Sequence, residues 1–227
     1  NLPVALAYSH PEWLCKRWHR QFGKEATKAL LAWNNEPAQI YLRLNPLTPN
    51  PLSPGTCESL SPTSAEGFYA HDGALPPDWI EEGRITVQDP STRHAVELLN
   101  PQPGETILDA CAAPGGKSSL IASLMRNEGL LHCTDRNEKR IPRLAGNLSR
   151  QHVSIARIST FDWATPAPME WRKHFDGILL DVPCSNTGVL RRRIDARRAT
   201  RVIEGAVPPF SKDSRALHLY QGASLLP

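Results

Sequence analysis

Apolar and polar positions change period several times along this chain. From Pro11 to about Asn34, Trp13, Leu14, Trp18, Phe22, Leu30, Leu31 and Trp33 recur at helical spacing with Lys16, Arg17, Arg20 and Lys24 between them. That pattern predicts a basic amphipathic helix or helix pair. Ile40 to Leu44 alternates as a short strand. Between 46 and 77 proline, serine and threonine dominate and no period survives, so this stretch reads as an irregular connector. Gly83 to Asp89 resumes strand-like alternation, and Ser91 to Leu99 predicts a helix capped near Pro90 or Ser91 and ended by Asn100-Pro101.

An alternating series follows: strand Thr106 to Cys111, helix Lys117 to about Arg126, strand Leu130 to Thr134, helix Glu138 to about Arg150, then strands at Ser154 to Ile158 and Gly177 to Asp181. Strands alternating with helices predict an α/β, doubly wound parallel sheet that binds ligands at the carboxyl ends of its strands. After Arg193 the pattern fails, with at best one short helix near Arg215 to Tyr220, which leaves the fourth strand as a sheet edge to be covered. The expected division is therefore an N-terminal α+β segment at 1–45, a connector at 46–77, the α/β core at 78–193 and an irregular tail at 194–227.

The run Leu108-Asp109-Ala110-Cys111-Ala112-Ala113-Pro114-Gly115-Gly116-Lys117-Ser118 reads as a buried strand breaking into a glycine turn that opens a helix. Paired glycines let main-chain N–H groups approach a nucleotide-like ligand closely. A dinucleotide fingerprint G-x-G-x-x-G is not met, since Gly115 and Gly116 are adjacent. A P-loop is half met by Gly116-Lys117-Ser118, but its first glycine would stand where Cys111 is. Acids recur at strand ends: Asp109, Asp135, Asp162 and Asp181. Taken singly, each reads equally well as a cap or turn residue. Together they would repel a polyphosphate lacking a metal and suit a ligand with ribose hydroxyls, an amino group and a sulfonium. S-adenosylmethionine has all three, and no metal is required.

Composition narrows the class without deciding it. With 227 residues and 40% hydrophobic content, there is enough for one full domain and a smaller one. A net charge of +3 permits nucleic-acid binding without arguing for it. Cys15, Cys57, Cys111, Cys133 and Cys184 are odd in number and hold no C-x-x-C pair, which argues against a disulfide framework or a structural zinc site and for a reducing cytoplasm. No apolar run approaches the length of a membrane span, and a cytoplasmic monomer is the expectation.

The second specific segment is Leu179-Leu180-Asp181-Val182-Pro183-Cys184-Ser185-Asn186-Thr187-Gly188, where a cysteine follows a strand end beside an acid. Such a thiol is placed for covalent chemistry, although an isolated cysteine is as a rule a small buried hydrophobe. With the loop at 109–118, this block resembles the RNA cytosine-carbon-5 methyltransferases of the bacterial Sun/Fmu (RsmB) class, within the RsmB/NOP family. Val87-Gln88-Asp89-Pro90-Ser91 and His10-Pro11-Glu12-Trp13-Leu14 are similar to two weaker family segments. The similarity covers about 10–45 and 75–195.

The resemblance implies a Rossmann-like class I methyltransferase fold with strands 1–4 recognisable, S-adenosylmethionine as cofactor, and 16S ribosomal RNA as partner. It would place residues 1–45 in an RNA-binding subdomain. Cys111, Ala112, Ala113, Pro114, Gly115, Gly116 and Lys117 would cradle the cofactor, with Asp135 on the ribose hydroxyls, Asp162 near the adenine and Asp181 between the cofactor and the target base. Arg191, Arg192 and Arg193, with the basic N-terminal helix, would contact RNA phosphates and unpaired bases. Two departures accompany it. The family's acid-glycine pair reads Asp162-Trp163 here. Its attacking cysteine comes from a T-C-S segment that this sequence lacks, so Cys184 matches the cysteine that assists release of the methylated base. The expectation is therefore a fragment or frameshifted copy with weak or no turnover, the alternative to an active enzyme being an inactive remnant that binds cofactor or RNA.

Overall fold

A computed structural model describes residues 3–53, 55, 58–182, 187–194 and 197. They fall into two compact units, 3–38 with 187–197, and 39–182.

In the smaller unit, α1 (Val4–Ala7), α2 (Glu12–Phe22) and α3 (Lys24–Trp33) surround Leu14, Cys15, Trp18 and Leu31. The basic stretch is thus a helix pair rather than one helix. Gly23 separates the two at φ +83°, a conformation that L side chains rarely adopt, and its backbone N–H closes α2 on the His19 carbonyl. The core is completed by Leu190, which is fully buried. Below it in sequence, Arg191 lies over the Trp33 ring at 4.7 Å and donates to the Pro37 carbonyl at 2.6 Å. Arg197 donates to the Asn34 carbonyl at 2.8 Å.

The larger unit contains two sheets. In the antiparallel one the order is β2-β3-β1-β4, formed by β1 (Ile40–Leu44), β2 (Leu60–Pro62), β3 (Phe68–His71) and β4 (Ile85–Val87). The stretch read as an irregular connector thus contributes two strands, and β1 belongs with them rather than with the N-terminal helices. At three and four residues, β2 and β3 are too short for a period to emerge, and Pro62 is tolerated because β2 is an edge. Successive residues of β1 face opposite ways: Leu42 packs with Leu60 and Ile85, while Arg43 sits beside its cross-strand partner Phe68 on the other face.

The second sheet is parallel, ordered β7-β6-β5-β8, from β5 (Thr106–Asp109), β6 (Leu130–Asp135), β7 (Ala156–Thr160) and β8 (Gly177–Leu179). Helices α5 (Thr92–Leu99), α6 (Gly116–Leu124) and α7 (Ile141–Arg150) accompany it, and α4 (Pro77–Glu81) precedes β4. Ile107, Leu120, Ile121, Leu131, Leu144 and Leu148 form its main core. The chain passes from β5 outward through β6 and β7, then returns to place β8 on the other side of β5. This is the Rossmann-like order, and its reversal point lies between β5 and β8, where open α/β sheets bind ligands. Among the described residues β8 pairs only with β5, and Ile178 on it is 52% exposed.

Candidate functional site

At the end of β5 the chain turns through Ala110–Gly115 into α6, and nearly every carbonyl of that turn is held. Thr134 Oγ1 donates to the Ala110 carbonyl at 3.0 Å, the Arg140 guanidinium to that of Ala113, and Asn147 Nδ2 to that of Pro114 at 2.8 Å. The Ala112 N–H donates in turn to the Thr134 carbonyl at 2.8 Å. The Ala113-Pro114 bond is cis. The two glycines play different parts. Gly115 has φ +104°, and a Cβ there would stand 3.1 Å from Leu144 Cδ1 and 3.3 Å from Leu148 Cδ2. Gly116 would meet only the Gln88 amide, at 3.5 Å.

The first turn of α6 then pins three consecutive side chains to three different strands or strand ends. Lys117 Nζ pairs with Asp181 Oδ2 at 2.7 Å, just past β8. Ser118 Oγ donates to Asp109 Oδ2 at 2.7 Å, at the end of β5. Ser119 Oγ accepts from Arg43 Nη2 at 2.6 Å, on β1.

The four strand-end acids are not equivalent. Asp109 is 1% exposed, its Oδ1 is without a hydrogen-bond partner, and burial pushes its carboxyl up to about 6 against the opposing effects of Ser118 and Lys117. It lies beneath the turn and anchors it. Asp135 accepts the Asn137 N–H on Oδ1 at 2.9 Å. Its other oxygen is buried without a hydrogen bond, although Arg140 Nη1 stands 3.0 Å away, off the hydrogen-bonding direction. Asp162 is exposed two residues past β7, where its Oδ1 accepts the Ala164 N–H at 3.0 Å and its carbonyl accepts the Thr165 hydroxyl at 2.6 Å. That is an Asx turn, the alternative raised by the sequence alone. Asp109, Asp135 and Asp181 all act on one group, the half-buried Cys111: burial first, and these three carboxylates after it, push its thiol up to about 11. Cys111 is therefore a neutral thiol near pH 7 and no nucleophile. Asp135 and Asp181 thus flank the turn, Asp109 lies buried beneath it, and Asp162 closes a turn of its own.

Cys184 lies outside the described residues. Arg191 belongs to the helical unit, where the Pro37 carbonyl, the Trp33 ring and the Glu36 carboxylate at 3.7 Å already engage its guanidinium. Arg192 and Arg193 are exposed. Sequence reasoning missed Arg140, Asn147 and Arg43, all of which hold the turn. The first two stand on the helix that follows β6, and a basic residue five positions after a strand-end acid was the available signal for Arg140.

Comparison with known proteins places this geometry. The profile of the 16S rRNA methyltransferase RsmB/F family matches residues 96–208, and that of the RsmF/B-like ferredoxin-like domain matches residues 10–51. This chain belongs to the RsmB/F methyltransferase family. It is 34% identical to ribosomal RNA small subunit methyltransferase B of Photorhabdus laumondii, over 96% of this chain and 55% of that protein. Among solved structures, PH0851 superposes with a TM-score of 0.80 at 26% identity, covering 88% of this chain and 47% of that one. A methyltransferase homologue from Pyrococcus horikoshii superposes with a TM-score of 0.63 at 25% identity, covering 85% and 65%. The chain spans about half the length of the curated relatives it matches.

S-adenosylmethionine is the cofactor of this family, and the residues present fit it. The buried Asp135 Oδ2 has no hydrogen bond and is an acceptor suited to a ribose hydroxyl. The Asp135 and Asp181 carboxylates beside the turn suit a ligand with hydroxyl, amino and sulfonium groups. Among the described residues no group of His, Cys, Asp or Glu could hold a metal ion, and no helix is long and apolar enough to cross a membrane.

Proposed function

We propose that this chain carries the cofactor-binding core of an S-adenosylmethionine-dependent methyltransferase acting on carbon 5 of a cytosine in RNA, 16S ribosomal RNA by family, in the cytoplasm. The observation that carries the reading is the pinned turn 111–117 at the β5/β8 reversal point, with Asp135 and Asp181 beside it. The cofactor supplies an electrophilic methyl group. Residues 111–117 would hold it, Asp135 would take the ribose hydroxyls, Asp162 would lie toward the adenine, and Asp181, paired with Lys117 at 2.7 Å, would stand between the cofactor and the base. Carbon 5 of cytosine is a weak nucleophile, so a thiolate must first add to carbon 6, and a base must later remove the carbon 5 proton before the thiol leaves. Cys184 is assigned the assisting role in that release. The target base must leave any stack to reach the crevice, and exposed Arg192 and Arg193 are suited to phosphates.

Isothermal titration of the whole chain with S-adenosylmethionine tests the site: saturable binding that Asp135→Ala abolishes is expected, and no binding by the wild type refutes it. Transfer of labelled methyl to 16S ribosomal RNA tests the reaction. Label on cytosine supports it, whereas intact binding with background transfer assigns the second reading, an inactive binding remnant.

A further inference from the structure

Arg43 ties the antiparallel sheet by hydrogen bonds to the first turn of α6, into which the cofactor turn leads. Its side chain is buried at 2% exposure, and every acceptor it finds is a neutral oxygen: Gln88 Oε1 at 2.8 Å from Nε, and Ser119 Oγ at 2.6 Å and Gln151 Oε1 at 3.2 Å from Nη2. Burying a guanidinium without a carboxylate is costly, and an apolar residue on this face would avoid that cost. What the arginine supplies instead is direction. It has donors only, so each oxygen it touches must accept, and the remaining hydrogens of those partners are thereby assigned.

Two such chains start from Arg43, and the first ends at Gly116. Through the first, the Ser119 hydroxyl, accepting from Arg43, turns its own hydrogen to the Gly116 carbonyl at 3.1 Å. The second leads elsewhere: Gln88, with its oxygen committed to Arg43, presents its NH2 to Thr92 Oγ1 at 2.8 Å. Gln151 ties the same guanidinium to the end of α7, and Thr86 Oγ1 of β4 donates to the same amide oxygen at 2.6 Å. The carbonyl of the residue on which the turn becomes helix therefore accepts from a hydroxyl whose orientation one buried cation dictates.

We propose that Arg43 is a positioning residue for the cofactor, acting through Ser119 to fix the Gly116 peptide. This rests on the reading of the 111–117 turn as the S-adenosylmethionine site. It assigns a role in cofactor binding to the antiparallel sheet, and predicts that cofactor affinity falls when the tether is cut even where the fold survives.

The test compares the whole chain with Ser119→Ala, Arg43→Met, Arg43→Lys and a control, Ile85→Val, which loosens the same sheet on its other face without touching the tether. S-adenosylmethionine affinity is read by isothermal titration and Tm by thermal unfolding. Ser119→Ala and Arg43→Met are expected to weaken binding on the order of tenfold, the loss of one aligned hydrogen bond. Arg43→Lys, which keeps a donor toward Ser119, should recover part of that affinity. Ile85→Val should lower Tm and leave the affinity within twofold. Wild-type affinity in both Ser119→Ala and Arg43→Met, or an equal affinity loss in Ile85→Val, overturns the assignment. If the Arg43 variants do not fold, Ser119→Ala decides alone. A wild type that fails to bind refutes the site itself, which is a separate result from binding that is indifferent to the tether.

Discussion

The helical unit and the turn at the head of α6 keep their charges in opposite places. Around α2 and α3 the core is apolar apart from the hydrogen-bonded His10, Thr27 and Asn34, and ion pairs such as Lys16 with Glu12 at 2.7 Å stand in solvent on one helix face. Pairs of that kind, screened by solvent, add little to stability. At the turn the polar groups are inside: Asp109, Ser118, Ser119, Asp135 and Arg43 are all buried, and the apolar residues serve as their walls. The first region is held by area removed from water and tolerates changes of surface charge. The second is held by directed hydrogen bonds and a left-handed glycine, so small changes there alter geometry before they alter the amount of buried surface.

The sharpest break in that comparison comes at Gly115. Gly115→Val would force a β-branched residue to φ +104° and drive its Cβ into Leu144 and Leu148. Backbone strain and overpacking together amount to about 3–5 kcal/mol. We expect a large fall in urea midpoint and no measurable binding of S-adenosylmethionine. Gly116→Ala, whose Cβ meets an ordinary contact, should fold with near-native stability. Equal stability for the two variants would show that the turn is not fixed as described.

In the helical unit the matching experiment removes volume rather than geometry. Leu190→Ala opens a cavity among Leu14, Trp18 and Leu31, at a cost of about 3 kcal/mol. Amide hydrogen exchange should report lost protection in α2 and α3, while S-adenosylmethionine affinity stays within about twofold, a shift under 0.5 kcal/mol. A cofactor affinity that falls in step with α2 protection would erase the distinction between the two regions.

How far each region could be read in the sequence follows from the same contrast. The parallel layer announces itself because its strands are runs such as Thr106–Asp109 and Leu130–Asp135, set between helices and closed by a glycine turn. The family segment at 109–118 falls on the edge where such a sheet binds ligands, and Asp181 follows β8 at that edge. The β2/β3 hairpin was illegible, since three- and four-residue strands in a proline- and serine-rich stretch carry no countable period. Within the site, Asp135 and Asp181 stand at the crevice as the strand-end pattern implies, but Asp109 is turned under the loop and Asp162 closes an Asx turn. A strand-end position tells where a backbone goes; which way a carboxylate turns depends on donors such as Ser118 and Ala164 that only the fold brings near. Arg43 was invisible for the same reason, because its partners lie 45, 76 and 108 residues away.

Asp109 gives the smallest and most specific prediction, because it is the buried carboxylate whose charge the fold opposes. Its carboxyl is raised from the ordinary 3.8 to about 6, so between those values the folded state holds a proton that the unfolded chain has released. Stability must then decrease as pH rises through that window and level off above it, the reverse of a salt-bridged carboxylate. A shift of this size corresponds to about 3 kcal/mol as an upper bound. Asp109→Asn carries no such charge, and its amide oxygen can still accept from Ser118. Subtracting variant from wild type removes the contributions of the other titrating groups, among them His10 and His132, both lowered chiefly by burial. Urea unfolding from pH 4 to 7.5 should therefore show the wild type losing about 2 kcal/mol relative to Asp109→Asn across the window. A flat difference would mean that the anchor beneath the turn is compensated by a donor on Oδ1, and the turn would then be held by the same balanced pairs that serve elsewhere in the chain.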